Sequence, residues 1–450
     1  FVVHNTRVGE VYGLNMTDDE FENENFRRWT NNVKELFDSG QDPLTIWSDR
    51  THSLGMQFYA SMRMNDIHKD WVERWPSLRS QWERERPYVA IGRDVPPDYK
   101  SRHARPGEAS DGFTFAFDFA VDEVRNHKLA LIDEICSGYD IDGLEMDFLS
   151  HPMYFKWGRE RDGAPLLTEF MRQVRKTAER AGKEKEQTLT LLARVPSNVK
   201  TCEAIGLDVC SWIEEGLVDA LIPTTRGYLN MSRNISEMVE IAGSSKCEIY
   251  GGLSDLYVRH YRGPDAPRAS IEMLRGAAQL HWNAGATAIH LFNYDCHATG
   301  VQHHNTEDKV NLENAPLFSP PEYQALKEIG DSRLIKSLNK HYLVMHDMEH
   351  RTTEEGGDSP LPVVLEETRD IVEIDVEIGD DNRKKSVSVT LKITFDDSFP
   401  GWSNIRVDLN GNTLDMQSDG SQLICNNVPT KKGGNSLRLV WQNPNAKEKN

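Results

Sequence analysis

Tyr139-Asp-Ile-Asp-Gly-Leu-Glu-Met-Asp-Phe148 is the stretch from which the fold can be read. Side chains alternate along a strand, so Leu144, Met146 and Phe148 share one face while Glu145 and Asp147 share the other. In a strand of a parallel barrel the apolar set meets the surrounding helices. The two carboxylates then face inward near the end where barrel enzymes do their chemistry. Two residues of strand rise place them about 6.6 Å apart along the backbone. Isolated carboxylates are costly to bury. The pair therefore either serves acid/base or substrate-binding chemistry, or is matched by Arg or Lys inside the barrel and only supports it.

Outward from this stretch, further short apolar or alternating runs read as strands at Gln57–Met62, Thr188–Arg194, Val218–Pro223, Cys247–Leu253 and Thr287–Asn293,. Helical stripes lie between them. Phe26, Trp29, Val33 and Leu36 form one that stops before Gly40. Pro43–Leu54 forms another, with Asp42 placed to cap it and Pro43 at its first position,. Val124, Leu131, Ile132 and Ile135 run to Gly138, and Leu167, Phe170, Met171, Val174 and Ala178 run to Gly182. Ile271, Leu274, Ala278 and His281–Trp282 run to Gly285. Glycine after each stripe is the expected helix stop. Repeated strand–helix alternation implies a parallel sheet, and the absence of a G-x-G-x-x-G turn disfavours a nucleotide-binding version. The expected fold class is α/β, a (β/α)8 TIM barrel. Only six parallel strands are evident. The missing two are sought in Phe1–Val3 and Phe113–Phe119 or, preferably, before Phe1, because 7–25 reads as polar loop running straight into helix.

The Pro-, Arg- and Asp-rich stretch 84–111 has no apolar period and reads as a functional loop over one barrel face,. Composition changes near residue 350. The expected domains are a barrel at 1–350, a Thr/Gly/Pro-rich linker at 351–362, and an all-β sandwich at 363–443. Alternating runs at Ile371–Ile378, Ser386–Phe395, Asn404–Leu409, Gln422–Asn426 and Ser436–Trp441 supply its strands. Asn410-Gly411 marks a hairpin,.

The whole chain of 450 residues carries 71 acidic against 52 basic side chains, a net charge of −19. That balance, with no Lys/Arg stripe, repels a phosphate backbone and makes nucleic acid an unsuitable partner. No run approaches the roughly 18 apolar residues of a membrane helix. The chain begins Phe1-Val2-Val3-His4 without an initiator Met, so the natural N-terminus is expected to be absent and a secreted or periplasmic home stays open,. The six cysteines form no C-x-x-C pair and read as buried thiols,. No cofactor or metal is called for.

Other candidate site residues follow strand ends. Arg63, Asn65, Asp66 and His68 lie on one loop and offer planar polar groups suited to sugar hydroxyls; a turn is the structural alternative, and Asp66 with His68 an unspecific metal pair. His151, Arg194, Arg226, Asp255 and Asn293, with Thr224, Thr225 and Asp295, follow other strands. Any one of them alone would more often be a cap or a salt bridge; together they suggest a pocket. Trp29 and Trp282 fit core stripes, whereas Trp47, Trp71, Trp75, Trp82 and Trp157 could be core or sugar-stacking,. No G-x-S-x-G or H-E-x-x-H motif supports a serine hydrolase or zinc protease.

Several of these segments carry a family resemblance. Thr6-Arg-Val-Gly-Glu10, Phe58-Tyr-Ala-Ser-Met-Arg-Met-Asn-Asp66 and the 139–148 stretch resemble the bacterial glycosyl-hydrolase-like TIM-barrel proteins called family-10-like. So do His151-Pro152, Arg194-Val-Pro196 and Gly206-Leu-Asp208. The resemblance extends to about residue 330. It implies two strands before Thr6, which makes the carboxylate strand the fourth, and a carbohydrate substrate. The expectation is hydrolysis of a glycosidic bond in an oligo- or polysaccharide, with Glu145 as general acid and Asp147 as base, nucleophile or electrostatic partner. A non-catalytic carbohydrate-binding barrel and a metal-dependent lyase or isomerase are the alternatives. Against a double-displacement pair, no Glu ends the Cys247–Asp255 strand; only Asp255 is near.

Overall fold

The structure is a computed structural model. It describes residues 1–17, 20, 21, 24–66, 79–92, 115–225, 229, 231, 234–254, 269–294, 320–344, 361, 363, 371–380, 388–395 and 404–441. Two helices lead, α1 (Glu24–Asp38) and α2 (Pro43–Ser53). α2 starts as its sequence dictates: the Asp42 carboxylate accepts from the N–H groups of Leu44 and Thr45, and Pro43 takes the first helical position,.

Alternation follows as β1 (Tyr59–Arg63), α3 (Gln81–Arg84), α4 (Asp122–Gly138), β2 (Gly143–Asp147), α5 (Glu160–Glu184) and β3 (Thr190–Pro196). It continues through α6 (Val199–Ala204), α7 (Val209–Glu214), β4 (Ala220–Thr224), α8 (Ser236–Ala242), β5 (Glu248–Ser254), α9 (Ile271–Ala284) and β6 (Ala288–Phe292), with α10 (Pro320–Glu328) and α11 (Ser332–Ile335) after it. β1 to β6 form one sheet in sequence order, with parallel pairing recorded from β1 through β5. All six strands match the apolar runs of the sequence. The result is an open, curled parallel barrel, six-stranded among the described residues. Neither segment proposed to hide a strand contains one there: Val2 makes an isolated bridge to Val11, and Phe117 one to Ala90.

The glycine stops need correction. Gly285 does close α9 in the left-handed region, at φ 102, and Gly40 follows α1 at φ 75. Gly138 instead lies within the last turn of α4, and α5 runs through Gly182 to Glu184. A Cβ at Gly182 would lie 2.6 Å from the Gln187 carbonyl oxygen, so this glycine serves a close approach and not a stop,. Trp29 also departs from its core assignment: it is 39% exposed and lies tilted beside Tyr12.

The chain forms two compact units. The first holds Phe1–Arg226, Ser236–Tyr250 and His350–Glu355; the second holds Gly227–Ile235, Gly251–Glu349 and Gly356–Asn450. In the first, the outward faces of the strands are fully covered: Leu144, Met146 and Phe148 are each 0% exposed. Burying such side chains stabilises by about 1.5–3 kcal/mol each. Inside the curl, Leu192, Ala220 and Ile222 pack with Tyr59 and Tyr250. Gly143 makes room for Tyr59, whose ring would lie 2.6 Å from an added Cβ.

In the second unit, antiparallel strands form a sandwich-like region. One sheet has the order β10 (Asn412–Thr413), β9 (Ile405–Leu409), β13 (Gly433–Trp441), β7 (Ile371–Ile378). The other has the order β11 (Gln417–Asp419), β12 (Gln422–Cys425), β8 (Leu391–Thr394). Alternation supplies its core, with Val372, Ile374, Val407, Leu409, Leu423, Leu437 and Leu439 buried together,. Asn410 and Gly411 both have positive φ, as the hairpin reading requires,. β11 is too short and polar to show in the sequence. The expected linker, 351–362, lies outside the described residues except for Leu361.

Five described cysteines are thiols rather than disulfides, and burial pushes the Cys136 and Cys247 thiols up to about 12. Cys296 lies outside the described residues.

Two histidines, one half-buried and one buried, set an acid limit. Burial lowers His127, which stacks on Trp82 with ring centroids 4.2 Å apart, to about 4, helped by Lys128; burial also lowers His281 to about 4. In the unfolded chain both titrate near 6.5. Below that value the unfolded state binds more protons, so their contribution is complete above about pH 6.5 and is lost as pH falls through about 4. The urea midpoint is expected to fall across this window, less steeply in His281→Gln. Equal slopes in wild type and variant would show that His281 is not buried neutral.

Candidate active site

Register builds the site. β2 lies between β1 and β3, with Ser61 opposite Glu145, and with Arg63 and Arg194 flanking Asp147 on its two sides. Same-face neighbours in adjacent strands meet. Ser61 Oγ donates to Glu145 Oε1 at 2.9 Å, and Arg194 Nη1 donates to Asp147 Oδ1 at 2.7 Å. The two carboxylates are thus unlike. Glu145 is 8% exposed in a layer with Ser61 and Leu192. Asp147 is 1% exposed and one layer nearer the strand ends, against a guanidinium that is itself 0% exposed.

Asp147 also caps the turn that follows β2. Its Oδ1 accepts from the N–H groups of Leu149 and Ser150, at 2.9 and 3.0 Å,. Its Oδ2 is buried with no hydrogen-bond partner among the described residues. One oxygen therefore carries both the turn and the ion pair.

The loop after β1 adds a second group. Arg63 Nη1 donates to Asp66 Oδ2 at 3.0 Å, and His151 Nδ1 lies 3.9 Å from Asp66 Oδ1. Asp66 is 36% exposed, whereas His151 is buried. Asn65, expected to bind substrate, is tied to the main chain. Its Nδ2 donates to the carbonyls of Phe117 and Met153 at 3.1 and 2.5 Å, and its Oδ1 accepts from the Phe117 N–H at 2.8 Å. This amide joins three segments around the strand ends. Asn65→Ala would strand buried backbone groups, and the expected loss is about 1–3 kcal/mol, read as a lowered denaturant midpoint.

Of the remaining candidates, Asn293 follows β6 with φ 53, a left-handed position that asparagine tolerates,. His68, Arg226 and Asp255 lie outside the described residues, as do Asp295, Trp71 and Trp75. Thr224 and Thr225 are buried at the end of β4. Trp82 is held by His127, whereas Trp47 and Trp157 are about half exposed.

No family model matches the chain. A stretch of 72 residues is 38% identical to 1,4-alpha-glucan branching enzyme GlgB 2 of Streptomyces coelicolor; it covers 16% of this chain and 10% of that enzyme. Among solved structures, an alpha-L-fucosidase isoenzyme 2 from Paenibacillus thiaminolyticus aligns over 55% of this chain and 35% of its own, at 11% identity and a TM-score of 0.36. An alpha-amylase from Geobacillus thermoleovorans aligns over 89% of this chain and 81% of its own, at 12% identity and a TM-score of 0.37.

Three groups around the site escaped the sequence reading. Ser61 sits in a quoted strand, but only register reveals that it faces Glu145. Lys128 of α4 reaches the carbonyl of Arg63 at 3.1 Å and lies over the Phe117 ring; a lysine inside a helical stripe gives no such signal. Asp118 is buried, and desolvation pushes its carboxyl up despite the Ala120 N–H and nearby Lys156, Arg125 and Arg159.

Proposed function

We propose that this chain hydrolyses a glycosidic bond in an oligo- or polysaccharide, with Glu145 as the general acid that protonates the leaving oxygen. The observation that carries the proposal is the placement of Glu145 on the inward face of β2, in hydrogen-bond contact with Ser61 on β1. General acid catalysis needs a carboxyl group in a sheltered position that keeps one oxygen directed at the substrate. Asp147 takes the role of electrostatic partner, its charge balanced by Arg194, and orients the turn that walls the site. Arg63 and His151 are the sugar-binding candidates we retain, with Trp157, on the loop after β2, as a stacking surface. The barrel at 1–350 and the sandwich at 363–443 are, in this proposal, catalytic and accessory domains.

One observation favours a second reading, a non-catalytic carbohydrate-binding barrel: Asp147 is committed to Arg194 and to two backbone N–H groups, which leaves Glu145 as the one carboxylate of β2 for chemistry. The metal-dependent lyase or isomerase would need Asp66, His68 and Asp147 on one ion, and Asp147 already holds Arg194.

Reducing-end release across a panel of soluble starch, xylan, carboxymethyl-cellulose and glycol chitin tests the proposal. Product from at least one is expected. Saturable glycan binding without product over long incubation would establish the binding reading instead.

A further inference from the structure

We infer that the sandwich is clamped to α9 and to β6, the last described strand of the curl, and opens with them as one cooperative unit. α9 is used on two faces. Its inner face sends Leu274, Ala277 and Ala278 into a core that Ile289 and Leu291 of β6 also join. The opposite face of a surface helix ordinarily meets water, yet the main chain at 339–342 lies along this one. Arg275 Nη1 donates to the Asn339 carbonyl at 3.4 Å, and the His341 N–H donates to the Glu272 carbonyl at 2.9 Å. A Cβ at Gly276 would lie 2.6 Å from the His341 carbonyl oxygen. Glycine weakens a helix interior, so its place here answers to that close approach.

The sandwich reaches the same face. Asn283 Nδ2 donates at 2.8 Å to the carbonyl of Gly379, which follows β7. The next residue, Asp380, grips the covering segment with both oxygens: Oδ1 accepts from Lys340 Nζ at 3.0 Å, and Oδ2 from the Tyr342 hydroxyl at 2.8 Å. The Lys340 side chain is 2% exposed, and its ammonium also donates to the Leu338 and Lys336 carbonyls. Beyond it, Leu343 packs on the α9 core and Val344 on the sandwich core. Adjacent residues held in two cores leave no slack between them. β6 runs directly into Asn293, so the sandwich steadies the strand that leads there. None of these contacts involves Glu145, and the clamp stands apart from the glycosidase reading.

Hydrogen exchange read by mass spectrometry on the full chain tests the clamp. Asp380→Ala leaves the Lys340 ammonium buried without its carboxylate,. Exchange in α9 is expected to speed up at least about tenfold, together with exchange in β7 and β13. α5, which belongs to the other compact unit, should keep its wild-type rate. Faster exchange in β7 and β13 with α9 unchanged overturns the inference, because the sandwich then opens alone. Gly276→Ala reads the clamp from the helix side. On an uncovered helix face alanine raises the denaturation midpoint. Beneath the His341 carbonyl it is expected to lower the midpoint and to speed exchange in β7 as well as in α9. A raised midpoint in this variant also overturns the inference.

Discussion

Arg194→Met should destabilise the protein by about 3–5 kcal/mol, the usual cost of removing one partner of a fully buried ion pair. Arg194 and Asp147 are 0% and 1% exposed and 2.7 Å apart. Losing the guanidinium leaves a carboxylate that water cannot reach, facing the apolar lining of the curl formed by Leu192 and Ile222. Chemical denaturation followed by tryptophan fluorescence reads the loss; Trp212, which packs tilted against Phe148 at 5.2 Å, is a suitable reporter. The double variant Arg194→Met/Asp147→Leu should recover part of this stability, because it buries no charge. The recovery stays incomplete, since Leu cannot accept from the N–H groups of Leu149 and Ser150,. A single variant as stable as wild type would mean that the pair is solvated in solution, and would return Asp147 to the list of groups available for chemistry.

Glu145→Gln carries the second large effect, on turnover. Gln keeps the shape and can still accept from Ser61 Oγ, so the fold and glycan binding should persist. It has no proton to give to a leaving alkoxide. The expected loss in kcat is about 10²–10⁴-fold with KM little changed, the pattern of an interaction made only in the transition state. Ser61→Ala should give a smaller loss, since it removes one hydrogen bond that orients the carboxyl group. A comparable loss of stability in Glu145→Gln would instead mark Glu145 as a structural member of the lumen.

Periodicity made the fold legible. Each of the six sheet strands coincides with an apolar run, and the cap at Asp42 and the hairpin at Asn410-Gly411 follow from local chemistry alone. What stayed hidden depends on pairing across the chain. The alternation of Glu145 and Asp147 shows that both face inward, but only the register shows that one meets a serine and the other an arginine 47 residues away. An amide after a strand suits a sugar ligand or a main-chain tie, and the main-chain partners of Asn65 come from segments that no local pattern links. Gly182 misled for a similar reason, since a close approach and a helix stop use the same residue.

The most direct test of the central claim compares wild type and Glu145→Gln, matched for denaturation midpoint, in initial rates of reducing-end release on one polysaccharide, with binding to that polysaccharide measured in parallel. The account predicts equal binding and a rate at least about 100-fold lower in the variant. Equal rates in the two proteins would contradict it.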